Sequence, residues 1–162
     1  VKVVSNTSPI INLAAIQQLE ILHQLYSQLF IPPAVYHEIV IRGAGQPGAA
    51  EIPNSDWIVI QKIKNRSLLK ALEFELDAGE AEAITLSVEL EADLLLIDEK
   101  IGRASAARLD VRRIGVLGIL LDAKKQGIIK QIKPLLNRLR IDAGFWIRPQ
   151  LYQYILKLAY EK

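Results

Sequence analysis

The chain has 162 residues, 51% of them apolar, which is enough for a substantial core and too many for a disordered chain. It has no cysteine, which excludes disulfides, thiolate catalysis and sulfur-rich zinc sites, and its two histidines, His23 and His37, are too few for a histidine-based metal cluster. The net charge of +2 conceals an asymmetry: residues 1–99 carry 6 Lys/Arg against 14 Asp/Glu, and residues 100–162 carry 14 against 4. Such a split either marks a polyanion partner or is averaged out when the halves interleave on folding.

In chain order, Val1–Ser5 reads as a strand that runs out onto Asn6-Thr7-Ser8. Ser8 as N-cap and Pro9 at the first helical position then open a helix to about Gln17, resumed through Leu19, Leu22 and Leu25. Residues 28–31 form a short second strand, and Pro32-Pro33 closes it and opens a helix to about Ile41. Residues 43–48 match G-x-G-x-x-G literally, but they follow a helix and contain Pro47, so the reading of 43–50 is a mobile loop rather than a dinucleotide motif. Residues 57–60 are extended and 67–75 helical.

Asp77 and Glu80 have capping-box spacing at the start of a helix reaching about Glu89. Asp93-Leu94-Leu95-Leu96-Ile97 is an uninterrupted apolar run after Asp93, the pattern of a strand buried on both faces. A helix over 101–108 and a strand at 111–113 follow, and Gly115 leads into a helix through Lys125. Two further helices cover about 131–140 and 149–160, the last with Leu151, Tyr154, Ile155 and Leu158 on one stripe. Strands alternating with helices imply an α/β fold with a parallel sheet. No linker or repeat divides the chain, so one domain over 1–162 is expected, with C-terminal helices at about 131–160. No basic leader precedes an apolar segment and no apolar run reaches 18 residues, so a soluble cytoplasmic protein without a membrane partner is expected.

Parallel sheets bind ligands beyond the carboxyl ends of their strands. Asn6 and Asp98 stand at two such ends, with Glu38 on the helix after strand two and Glu80 at a helix start. Oxygen donors of this kind suit Mg²⁺ or Mn²⁺, and carboxylates crowded together favour cation capture. Each also has a local explanation: Asp98 as cap of the helix after it, Glu80 in a capping box, Asn6 in an Asx turn. Glu38 lies off the apolar centre of its helical wheel and would simply be solvated. Among the basic residues, Arg103 begins one turn after the acidic strand end, and with Lys124 it is a candidate for RNA phosphates.

Val3-Val4-Ser5-Asn6-Thr7-Ser8-Pro9-Ile10-Ile11, Ile31-Pro32-Pro33-Ala34-Val35-Tyr36-His37-Glu38, Leu76-Asp77-Ala78-Gly79-Glu80-Ala81-Glu82-Ala83-Ile84 and Leu95-Leu96-Ile97-Asp98-Glu99 stand in the order seen in PIN domains. Together with Gly115–Leu120 and Ala123–Gly127, they most resemble the DUF3368 branch related to VapC-type toxin ribonucleases. The resemblance spans residues 1 to about 142.

It implies a three-layer α/β/α sandwich and a metal-dependent endoribonuclease, the toxin of a toxin–antitoxin pair. One or two Mg²⁺ or Mn²⁺ ions, an RNA substrate, a small antitoxin and a homodimer go with it. Asn6, Glu38, Glu80 and Asp98 fall at its acidic quartet, and Thr7 and Ser8 at supporting hydroxyls. The first acid of that quartet is ordinarily Asp. Asn6 brings no charge, so metal affinity should fall, with Glu99 the better-placed compensating acid and Glu82 turned to another side of its helix. The alternative is a degenerate fold that binds RNA or protein without cutting.

Overall fold

The structure is a computed structural model describing residues 1–162. Its elements are β1 (Val3–Ser5), α1 (Thr7–Ala15), α2 (Glu20–Tyr26), β2 (Leu29–Ile31), α3 (Pro33–Tyr36) continued by a π-helical turn (His37–Arg42), and β3 (Ile58–Ile60). They continue with α4 (Arg66–Leu72), α5 (Ala78–Glu89), β4 (Leu94–Leu96), α6 (Lys100–Arg108), β5 (Arg113–Ile114), α7 (Val116–Lys125), α8 (Lys133–Ile141) and α9 (Pro149–Leu158). All strand pairs are parallel, in the order β3-β2-β1-β4-β5. The sheet therefore grows one way from β1 to β2 and β3, and the other way from β1 to β4 and β5. The seam between β1 and β4 is the switch point where such sheets open a crevice.

Alternation along each strand builds the two outer layers, because successive side chains leave opposite faces. Val3, Leu29, Ile31 and Leu96 join the larger cluster with side chains of α1, α2, α7, α8 and α9. Val4, Leu95 and Ile97 join the smaller one with Leu69 and Leu72 of α4, Ala83, Ile84 and Leu86 of α5, and Ala106 of α6. The expected α/β/α sandwich is thus present, with nine helices around one parallel sheet. No helix is long and apolar enough to cross a membrane.

Several local readings shift. The first helix starts two residues earlier than Ser8 suggests: Asn6 is extended (φ −80°, ψ 177°) and its N–H donates to Leu96 O at 2.9 Å, so β1 passes straight into α1. Pro9 still falls in the first turn, where its missing N–H has no helical partner to lose. The last strand lies at 113–114 rather than 111–113. Val111 N–H donates instead to Ala106 O at 2.9 Å, closing α6, and the pairing of β5 with β4 starts at Arg113. Residues 37–42 are wound wider than an α-helix, so a 3.6-residue wheel misplaces Glu38. Turns of this kind recur at functional sites.

Candidate active site

Asn6 follows β1 directly and Asp98 stands two residues beyond β4, so both lie at the carboxyl ends of the two central strands. A backbone bond joins these two ends, Asn6 N–H to Leu96 O at 2.9 Å, and Ile97 N–H to Ile114 O at 2.9 Å ties the β4 end to β5. Asn6 is 2% exposed. Its Nδ2 donates to Glu99 Oε2 at 3.0 Å, and the Ser8 hydroxyl donates to the other Glu99 oxygen, Oε1. Asn6 Oδ1 is buried without any partner, and so is Asp98 Oδ2. An unpaired buried acceptor costs about 1–3 kcal/mol. Two of them at neighbouring strand ends are acceptors open to an ordered water or a cation.

Asp98 does cap a helix, but a different one from that expected. Its Oδ1 accepts from Val116 N–H at 3.0 Å, at the start of α7, while α6 begins without a side-chain cap. Burial first, and then the charge of Glu99, push the Asp98 carboxyl up to about 6 against the opposing pull of the Val116 amide and the Arg103 guanidinium. Arg103 donates from Nη1 to Ile97 O at 3.1 Å, so the residue expected to meet RNA leans over the end of β4 beside Asp98. A hollow of about 340 Å³ borders Asp98, Arg103 and Arg113.

On the other side of Asn6, Glu38 Oε2 accepts from Thr7 Oγ1 at 2.8 Å. Glu38 lines a hollow of about 380 Å³ with Thr7, Arg42 and Asp77. Asp77 caps α5 through Glu80 N–H at 2.8 Å, as its spacing predicts, but Glu80 does not return a bond to the Asp77 amide. The Glu80 carboxyl instead lies among acids. Burial first, then the hydrogen bond and charge of Asp77 and the charge of Glu99, push it up to about 8. Glu80 is thus biased toward its protonated form, whereas a bound cation would favour the ionised one.

Glycine makes room for these carboxylates at three places. A Cβ on Gly79 would stand 2.5 Å from Glu38 Oε1, one on Gly102 2.8 Å from Glu80 Oε2, and one on Gly115 2.5 Å from Asp98 Oδ1. The sequence carries this signal, since Gly79 precedes Glu80 and Gly102 follows Asp98 by one helical turn, but side-chain placement is needed to read it.

The acids gather at one end of the sheet, but as a string running Asp77–Glu80–Glu99–Asp98, with Glu38 beside Thr7. No three Asp, Glu or His side chains stand close enough to enclose an ion by themselves. Asn6 sits within that string through its bond to Glu99, and it supplies an amide oxygen where a third carboxylate would stand. The donor set suits a hard cation chemically: all oxygen, two acceptors unpartnered, and two carboxyls held up in pKa.

Two candidates lie elsewhere. Lys124 is not brought to the crevice: its Nζ pairs with Glu161 Oε2 at 2.8 Å, and it sits eight residues, about 12 Å, along α7 from Val116. Glu82 turns away as its position on α5 predicts, and its Oε1 accepts from Ala34 N–H at 3.0 Å, supplying α3 with the cap that Pro32 cannot. Asp77 was legible only as a cap and Arg113 only as one of several basic residues able to line a path for phosphates, and each borders one of the two hollows.

No curated protein matches the chain. Among solved structures, it is similar to a PilT N-terminus domain protein, SSO1118, from the hyperthermophilic archaeon Sulfolobus solfataricus P2. The TM-score is 0.53 at 19% identity, over 76% of this chain and 93% of that one, a likeness of fold alone. The family described as DUF3368, PIN domain, matches residues 2–161. With nearly the whole chain matched, and oxygen donors collected at the β1–β4 seam of a nuclease-type fold, the protein belongs to the PIN-domain family DUF3368.

Proposed function

We propose that the chain is a metal-dependent endoribonuclease whose site is the β1–β4 crevice. The observation that carries this reading is the pair of buried, unpartnered acceptors, Asn6 Oδ1 and Asp98 Oδ2, at adjoining strand ends. Asn6, Asp98, Glu80 and Glu38 would hold one or two Mg²⁺ or Mn²⁺ ions, with Thr7, Ser8 and Glu99 in support. The cation would supply Lewis acidity toward a phosphodiester and a more acidic water.

The chain's own residues do the rest. Glu38 holds its carboxylate against the Thr7 hydroxyl, and Asp98 is fixed by the Val116 amide. Arg42 at one hollow and Arg103 and Arg113 at the other flank the acids with guanidinium groups, which suit a phosphate backbone on either side of a scissile bond. The resemblance of its motifs to VapC-type toxins extends this proposal to a toxin with a small antitoxin and a homodimeric state.

Incubating the purified protein with a mixed RNA and Mn²⁺ should give cleavage that EDTA and Asp98→Asn both abolish. Cleavage that survives both would overturn the proposal. The uncharged Asn6 favours a second reading, a PIN fold that binds RNA without cutting. Mn²⁺-independent RNA binding with no turnover would decide for it.

A further inference from the structure

We infer that the furrow between α7 and α9 is a docking groove for a short amphipathic helix of another protein, one with an apolar stripe and acidic residues toward both ends. The two helices run side by side in the same direction. The hollow beside Arg113 is bordered by Leu117 near the start of α7 and by Leu151 near the start of α9. A second hollow, of about 520 Å³, is bordered by Leu121 and Lys125 toward the end of α7 and by Leu158 at the end of α9. Positions 117, 121 and 125 recur every four residues on α7, and 151 and 158 stand seven apart on α9, so the hollows are the two ends of one strip. From Leu117 to Lys125 the strip is about 12 Å long, just over two helical turns.

Its walls are apolar and open. Leu117, Leu121 and Leu151 are half-buried, Leu158 is 46% exposed, and Tyr160 beyond it is 97% exposed. Contiguous apolar surface rimmed by charge marks an interaction site. Cations predominate at both ends. At the first, Asp98 faces Arg103, while Arg113 is exposed and donates only to the Val111 carbonyl. At the second, Lys124 is held by Glu161, but Lys125 and Lys157 are exposed and engage no acid, against the one remaining carboxylate of Asp122.

These charges choose the occupant. An RNA strand would find the strip between the two ends lined by leucines, with no cation to meet a phosphate. A second copy of the chain, paired about a two-fold axis, would set cation against cation. An amphipathic helix with acidic ends lays its apolar stripe between the leucines and brings carboxylates to Arg113, Lys125 and Lys157.

The test uses the full chain and a displayed library of peptides of about 16 residues, roughly 24 Å as helices. Affinities of the enriched peptides are then read by fluorescence anisotropy. Those peptides should carry apolar residues at three- and four-residue spacing with Asp or Glu near both ends. Leu158→Gln keeps every charge and Lys125→Glu keeps the apolar wall, and each should weaken binding by about 10-fold. Both side chains are exposed, so neither change disturbs the core.

No enrichment, enriched peptides rich in Lys or Arg, or affinities that neither variant alters would overturn the inference. A labelled oligouridine that Leu158→Gln weakens in place of the peptides would make the strip an RNA track instead. Self-association of the chain lost in Leu158→Gln would make it a contact between copies. Neither metal nor cleavage enters these measurements, so they succeed or fail separately from the cation reading.

Discussion

Asp98→Asn should make the metal-free protein progressively more stable than the parent as pH rises. The Asp98 carboxyl is held at about 6 in the fold against an ordinary 3.8, so the folded state binds this proton more tightly than the unfolded chain does. Its contribution to stability is complete below the unfolded value and is lost as pH rises through about 6. At about 1.4 kcal/mol per pKa unit, the full loss is roughly 3 kcal/mol.

Asparagine does not titrate. Its Oδ1 can keep the bond from Val116 N–H, while its unpaired Nδ2 brings a cost that is constant with pH. The prediction therefore concerns the change in the difference. Urea unfolding in EDTA, at a series of pH values from 4 to 8, should show the variant gaining on the parent by up to roughly 3 kcal/mol, mostly between pH 4 and 7. Mn²⁺ should reverse the ranking at pH 7 by pairing with the parent's ionised site. A difference independent of pH would refute the account of Asp98 as a charge buried for a ligand.

Other changes separate site from scaffold. Gly115→Ala would put a Cβ 2.5 Å from Asp98 Oδ1, so it should weaken Mn²⁺ binding and cost about 1–3 kcal/mol through the lost Val116 N–H bond, both measurable on one calorimetric sample. Glu82→Ala should lower stability by about 1 kcal/mol by uncapping Ala34 in α3, with Mn²⁺ affinity unaltered. Glu161 accepts from Lys124 Nζ and from the Ile132 and Lys133 amides, so Glu161→Ala should cost about 2–4 kcal/mol in urea unfolding and leave RNA binding intact. Burial opposes ionisation of Glu161, but those donors outweigh it and hold its pKa below the ordinary 4.5. Its contribution is therefore present at neutral pH and fades as pH falls below that value.

Much of the architecture was legible before the structure because its signals are local. The apolar run at 94–97, the Asp77 cap and the alternation of strand with helix each depend on near neighbours, and they give a parallel sheet with donors at its strand ends. The ordered motifs around Asn6, Glu38, Glu80 and Asp98 were likewise legible as family resemblance. What periodicity could not give was the direction of individual side chains. Glu38 was read off a 3.6-residue wheel, yet it sits on a π-helical turn, and Asp98 caps α7 instead of the helix it precedes.

The sequence by itself determined which residues are apolar, where helices start and stop, and which acids end up near strand termini. Strand order and packing decided the rest. They joined Asn6 to Glu99 across the β1–β4 seam, spread the acids along a string instead of closing them into a cage, and tied Lys124 to Glu161 far from the crevice. The physical reason is range. Helix and strand signals arise from contacts a few residues apart, whereas each of these pairings joins side chains that meet only after the layers have docked.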